Sequence, residues 1–388
     1  MNLSPSALAP VTPALVTPTL NWDIFCRVID NHGDLGVCWR LCADLAQRGH
    51  TVRLWVDEAS ALAWMAPLGC KGVQVHAWPT SSNGYPDCAN VVVEAFGCEL
   101  PEHVQSKIAE QQKQAVLWIN LEYLSAEAYV ERCHGLPSPV MSGPAKGCTK
   151  WFFYPGFTPA TGGLLREPNL AQRQASFNPD DWLAQLGLPL RADAQRVSLF
   201  CYEPAVISTW LQQLADQHTP TDVLVAPGRP QAAVLAALQN LGWINATDAG
   251  AQSTSIVHGW LGLHPLPYLS QTDFDHLLWS CDLNMVRGED SLVRALWAGQ
   301  PFVWHIYPQD DNAHRDKLEA FLNWLQAPSS LRAFHLAWNG VSKALTTPNP
   351  AVLETWQTVT QAARQRLLAQ ADLTTQLSML SLNTSVKK

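Results

Sequence analysis

Charge is scarce in this chain. Asp, Glu, Lys and Arg together supply 15% of its 388 residues, against a hydrophobic share of 47%. A composition this apolar can bury large cores and excludes wholesale disorder. No long Lys/Arg cluster is present and the net charge is −8, so the basic surface that a nucleic-acid partner needs for counterion release is missing. No apolar run approaches the roughly 20 residues of a membrane helix, and no membrane partner is expected. Cys-x-x-Cys and His-x-x-x-His spacings are also absent, which leaves no metal site to expect. The ten cysteines sit mostly in apolar runs, as Cys26, Cys201 and Cys281 do, and read as reduced core residues of a cytoplasmic protein. The G-x-G-x-x-G fingerprint is missing too, which argues against a nicotinamide-dependent oxidoreductase.

What is present is an alternation of short apolar strands with helical patterns, the mark of parallel sheets covered by helices. The length suits two such α/β domains. Residues 1–20 carry four prolines and no charge; the prolines interrupt any signal-peptide core, and the segment is expected to be a disordered extension. The expected boundaries are 21–180 for a first domain, 181–350 for a second, and 351–388 for helices packing back toward the first. Strands are expected at Trp22–Ile29, Thr51–Val56, Val73–Ala77, Asn90–Phe96 and Ala115–Asn120. A second series falls at Arg196–Tyr202, Asp222–Ala226, Thr254–Trp260, Asp282–Val286 and Pro301–His305. A helix over about Gly36–Arg48 carries Val37, Leu41 and Leu45 on one stripe. From Gly135 to Asp180, Pro, Gly and Thr dominate, which predicts a long connection.

Two facing domains of this class make a cleft at the carboxyl ends of their strands, so the loops there are the candidate site. Asp30-Asn31-His32-Gly33-Asp34-Leu35-Gly36 follows the first strand and opens a helix. Asp34 suits a base acting on an acceptor or a hydrogen bond to a sugar hydroxyl, and equally suits a helix cap. Asp30 closes the strand and reads as structural. Arg287-Gly288-Glu289-Asp290-Ser291 opens another helix; an Arg and a Ser at a helix N-terminus suit a diphosphate, while Glu289 and Asp290 also fit simple capping. Tyr307-Pro308-Gln309-Asp310-Asp311-Asn312 has the same placement, with sugar binding and capping evenly matched. Phe200, Tyr202 and Tyr268 offer flat partners for a base.

The stretch Asp23-Ile24-Phe25-Cys26-Arg27-Val28-Ile29-Asp30-Asn31-His32-Gly33-Asp34-Leu35-Gly36-Val37-Cys38-Trp39-Arg40 resembles the bacterial protein-arginine rhamnosyltransferases that modify elongation factor P. So do Trp118-Ile119-Asn120-Leu121-Glu122-Tyr123-Leu124-Ser125, Ser198-Leu199-Phe200-Cys201-Tyr202-Glu203, Arg287–Ser291 and Pro301–Asp310. These pieces span about residues 22 to 325. His32 stands where that family usually has an aromatic residue, and the first 20 residues lie outside the resemblance.

The resemblance implies a GT-B glycosyltransferase of two facing Rossmann-like domains, taking dTDP-β-L-rhamnose as donor and an arginine of elongation factor P as acceptor. It implies inversion at the anomeric carbon and no metal or other cofactor. Carried over by motif, Asp34 would be the catalytic carboxylate, Asp30 its support and Glu289 a second essential acid. Asn31 and Gly33 would join the donor site. Phe200, Tyr202, Tyr268 and Gln271 would hold the thymidine, and Arg287, Asp290 and Ser291 the diphosphate. Two other readings are a GT-B transferase for a cell-envelope sugar and a non-catalytic module that binds elongation factor P or a sugar nucleotide. The first would call for a basic amphipathic face, which the sequence does not display.

Overall fold

The computed structural model describes residues 19–29, 32–85, 87–111, 116–245, 254–309 and 313–386. The extension expected at 1–20 lies outside them but for its last two residues.

Strands β1 (Asn21–Cys26), β2 (Thr51–Val56), β3 (Val73–Ala77), β4 (Val91–Ala95), β5 (Leu117–Leu121), β6 (Pro137–Pro139) and β7 (Thr149–Phe153) form one sheet in the order β3-β2-β1-β4-β5-β7-β6. Every pairing is parallel except that of β6 with β7. Helices α1 (Gly33–Gln47), α2 (Leu62–Met65), α3 (Glu102–Gln111) and α4 (Ala128–Cys133) connect its strands. Both faces of the central strands β1, β4 and β5 are covered, so these strands are largely apolar on both sides. In β1, Trp22, Ile24 and Cys26 join one core and Phe25 the other. Asp23, on the Phe25 face, is fully buried. It is satisfied by Arg53 (Nε 2.6 Å), Trp55 (Nε1 3.0 Å), the Tyr85 hydroxyl (2.8 Å) and the Ala89 amide (2.9 Å), as a buried carboxylate must be.

The chain then crosses through α5 (Leu170–Ala175) and α6 (Pro179–Gln185). The second sheet holds β8 (Gln195–Leu199), β9 (Thr221–Val225), β10 (Ile256–His258), β11 (Leu261–Pro265), β12 (Leu283–Arg287) and β13 (Phe302–His305), ordered β10-β11-β9-β8-β12-β13. Only β10 is antiparallel to its neighbour. Around it lie α7 (Ile207–Asp216), α8 (Arg229–Asn240), α9 (Gln271–Trp279), α10 (Asp290–Ala298), α11 (Ala313–Leu325) and α12 (Ser329–Trp338). Helix α13 (Pro350–Leu368) packs Trp356, Ala363 and Leu367 into this second core. Helix α14 (Leu373–Val386) crosses back and buries Leu373 and Leu377 in the first.

Three expectations need correction. The stretch from Gly135 is not all connection, because β6 and β7 extend the first sheet there. The first strand ends at Cys26, and α1 begins at Gly33 rather than Gly36. The strand expected over Thr254–Trp260 is the short β10, and the longer β11 follows it.

Candidate active site

In both sheets the strand order reverses beside the strand that comes first in the chain, between β1 and β4 and between β8 and β12. Connections leave in opposite directions at such a point and open a crevice at the carboxyl ends. The loops after β1, β8 and β12 therefore meet around one cavity of about 290 Å³ lined by both halves of the chain. Gly33, Phe200, Tyr202, Tyr268, Gln271, Arg287, Glu289, Asp290 and Ser291 all border it. Asp34 adjoins Gly33 in the first turn of α1 without lining the cavity itself. Asp30 and Asn31 lie outside the described residues, as do Asp310, Asp311 and Asn312.

The second half supplies cations and rings. The Arg287 guanidinium carbon lies 4.5 Å from the Phe200 ring centre and 4.8 Å from that of Tyr202, and Arg229 lies 4.8 Å from Tyr202 as well. Such stacking fixes a flat cation in place, and Arg229 is held further by an ion pair with Glu203. The N-termini of α8 and α10 both reach the cavity, and helix N-termini favour an anion. Gly288, with φ +64, supplies the left-handed turn into α10. The Ser291 hydroxyl accepts from the Arg287 amide (3.1 Å) and donates to the Arg287 carbonyl, so it stabilises this turn. At the cavity mouth, Tyr268 lies 4.8 Å from Trp64, whose ring in turn meets His32 at 5.4 Å.

The carboxylates do not merely cap helices. Asp34 is buried, and its Oδ2 accepts from the Ile29 amide at 2.9 Å, tying α1 to the loop after β1. Glu289 precedes α10 but makes no side-chain cap. Its Oε2 instead accepts from the Leu124 amide (2.8 Å) across the cleft, and its Oε1 from Lys317 Nζ (2.9 Å). Burial pushes the Glu289 carboxyl above its ordinary range, Lys317 pulls it back, and the charge of Asp34 adds to the upward push. Two acids from opposite halves therefore sense each other.

A set of charges, of which the motifs assigned only Asp290, holds the halves together. Arg40, on α1, reaches Asp290 (Nε–Oδ1 3.0 Å), Glu167 (3.4 Å), Asp275 (3.2 Å) and the Gln271 carbonyl (3.1 Å). Arg294 grips Asp275 with two bonds (2.8 and 2.7 Å) and Glu167 with one (2.7 Å), and Arg173 adds a third cation to Asp275 (3.0 Å). Gln271 donates through Nε2 to the Gly36 carbonyl at 2.9 Å, so its side chain clasps α1. The signal available in the sequence was an arginine inside each of two otherwise apolar helical stretches, Val37–Leu41 and Leu292–Leu296.

Among the described residues, no group of three or more His, Cys, Asp or Glu is placed to hold a metal, and no helix is long and apolar enough to cross a membrane.

Residues 22–381 match the family model described as elongation factor P (EF-P) rhamnosyltransferase EarP. A protein-arginine rhamnosyltransferase of Pseudomonas aeruginosa is 44% identical over 343 residues, covering 82% of this chain and 87% of its own. One from Pseudomonas putida is 44% identical over 380 residues, covering 92% and 97%. A solved structure reported as the basis of EarP-mediated arginine glycosylation of EF-P superposes with a TM-score of 0.62 at 31% identity, covering 94% of this chain and 99% of the other. Arabidopsis thaliana UGT89C1 with UDP, at 11% identity and a TM-score of 0.52 over 95% of this chain and 100% of its own, shares the GT-B fold. The chain therefore belongs to the EarP family of protein-arginine rhamnosyltransferases, glycosyltransferases with the two-domain fold seen here.

Proposed function

We propose that this enzyme moves L-rhamnose from dTDP-β-L-rhamnose to the guanidinium of one arginine of elongation factor P, with inversion and without a metal. The observation that carries the reading is a single cavity with stacked Arg287 and two helix N-termini on one side, and Asp34 with Glu289 beside it.

In the proposed mechanism the pyrimidine and sugar of the donor nucleotide lie against the aromatic group of Phe200, Tyr202 and Tyr268. Its diphosphate faces Arg287 and the amides that open α10. An arginine side chain is a weak nucleophile because its guanidinium is delocalised and protonated. Asp34 accepts a proton from one guanidinium nitrogen as that nitrogen forms a bond to the anomeric carbon. The bond from that carbon to the diphosphate oxygen breaks, and dTDP leaves with the electron pair. Arg287 and the helix N-terminus stabilise the charge it gains. Attack from the face opposite the leaving group gives inversion.

The test is intact mass spectrometry of elongation factor P after incubation with this protein and dTDP-β-L-rhamnose, with a chelator present. One added deoxyhexosyl group on a single arginine supports donor, acceptor and metal independence together. No addition, with a competent donor and acceptor, removes the reading.

A further inference from the structure

Lys317 has no part in the mechanism above, yet it sits at the point where the two halves meet around Glu289. It belongs to α11, in the second half. Its Nζ lies 2.9 Å from Glu289 Oε1 and 5.8 Å from the ring centre of Tyr123, in the first half. The other Glu289 oxygen takes the amide of Leu124, the residue after Tyr123. Tyr123 is itself stacked on Phe96, with ring centres 4.7 Å apart and planes at 20°. Phe96 holds a left-handed backbone, φ +56, directly after β4. That backbone turns the Phe96 ring against Tyr123. Lys317 is thus bound on one side by a carboxylate and on the other by a fixed ring.

Without that cation the site would be poorly arranged. Burial favours the neutral form of the Glu289 carboxyl, and the charge of Asp34 adds to that push. A protonated acid could neither attract the acceptor guanidinium nor accept its proton. The Lys317 ammonium opposes that push at one oxygen, and the Leu124 amide fixes the other. The titratable groups around Glu289 include Lys317 on α11, Asp34 on α1 and Tyr129 on α4, with Tyr123 beside Lys317. Lys317 is the cation in that set.

We propose that Lys317 is a positioning residue for the transfer: it keeps Glu289 ionised and aimed across the cleft beside Tyr123. The inference rests on the arginine-transfer reading above for its kinetic test, and on Glu289 itself for a direct one.

The kinetic test compares the wild type with Lys317→Met and Lys317→Arg across mildly acidic to mildly basic pH. Lys317→Met is expected to lower kcat by about tenfold near neutrality, the scale of one charge-assisted hydrogen bond. The acidic limb of its profile moves to higher pH, so part of the rate returns as pH rises. KM for the nucleotide sugar stays near the wild-type value, because Lys317 does not line the donor cavity. Lys317→Arg keeps the charge and restores the limb. A loss in Lys317→Met that is equal at every pH, or no loss at all, overturns the proposal. The direct test is a carbon-13 titration of the Glu289 carboxyl, assigned with Glu289→Gln, in wild type and Lys317→Met. An upward shift in the variant supports the proposal and an unchanged value overturns it. Because this titration needs no turnover, a wild-type enzyme that failed to glycosylate elongation factor P would count against the proposed function alone.

Discussion

Arg40 and Asp290 form an ion pair, Nε to Oδ1 at 3.0 Å, although 250 residues separate them in the chain. Arg40 belongs to α1 of the first half, and Asp290 is the first residue of α10, whose N-terminus borders the donor cavity. The pair therefore joins closure of the cleft to the placement of the helix start that would face a diphosphate.

Removing Arg40 tests that coupling. Arg40→Met would leave Asp275, Glu167 and Asp290 with one cation fewer in a buried setting, and breaking such a set from one side costs about 3–5 kcal/mol. Chemical denaturation should show a loss of that order. Nucleotide affinity should fall with it, because α10 loses its tether to α1. Arg40→Lys should recover only part of both, since an ammonium cannot make three directed contacts from one planar fork. Isothermal titration with dTDP on variants still folded at the working temperature separates the two effects.

The same charges set an acid limit. Burial pushes the Glu167 carboxyl up, but Arg294 and Arg40 more than offset it and hold it at about 2. An unfolded Glu titrates near about 4.3. The folded value is depressed, so this group's stabilisation is fully present above about pH 4.3 and is lost as pH falls toward about 2. Asp222, held at about 2 by His264 and Arg191 against its own burial, is lost in the same window. Unfolding measured at neutral and at acidic pH should show a steep fall for the wild type and a shallower one for Glu167→Gln. An equal fall in both would assign the acid sensitivity to Asp222 and other groups.

Much of this architecture was legible in the sequence because buried parallel strands are written as short apolar runs, as those at Asn90–Phe96 and Ala115–Asn120 are. The helix over Gly36–Arg48 was equally plain from the stripe of Val37, Leu41 and Leu45, although α1 starts earlier, at Gly33. What escaped was a strand whose residues serve polar partners. In β11, Leu261-Gly262-Leu263-His264-Pro265, a Cβ on Gly262 would lie 2.3 Å from Asp222 Oδ1, and His264 reaches the same oxygen at 3.2 Å. Its composition answers to that buried carboxylate and hides the strand. The loops around the cavity were legible because each is a contiguous motif at a strand end. The clasp was not, because Arg40 meets Glu167, Asp275 and Asp290 at separations of 127, 235 and 250 residues. Local sequence carries no record of such pairings.

The mouth of the cavity gives a prediction about the donor. Tyr268 is 56% exposed although it touches Trp64 of the other half at 4.8 Å. An aromatic left this open beside a cavity is available to stack on a pyrimidine. Tyr268→Ala should weaken dTDP binding by about tenfold or more, within the 1–3 kcal/mol typical of one stacked base. Stability should change little, because the ring is mostly in solvent. Tyr268→Phe should bind as the wild type does. A Tyr268→Ala protein with unchanged dTDP affinity would remove Tyr268 from the base site.

Asp34 is the residue on which the proposed chemistry turns, and its geometry separates chemistry from donor binding. It is buried at the start of α1, one oxygen takes the Ile29 amide, and it does not line the cavity. Asp34→Asn keeps the shape and, with its amide oxygen turned toward Ile29, keeps that hydrogen bond, but it cannot accept a proton from the guanidinium. Loss of a general base costs about 10²–10⁴-fold. Single-turnover transfer to elongation factor P should fall by that range, while dTDP affinity and thermal stability stay near wild type. The combination matters: a merely structural Asp34 would show a small rate loss accompanied by lower stability, and a donor-binding Asp34 would show weaker dTDP affinity. Full turnover in Asp34→Asn would move the base to the other acid of the cleft, Glu289, and the Lys317 variants would then report on the base itself.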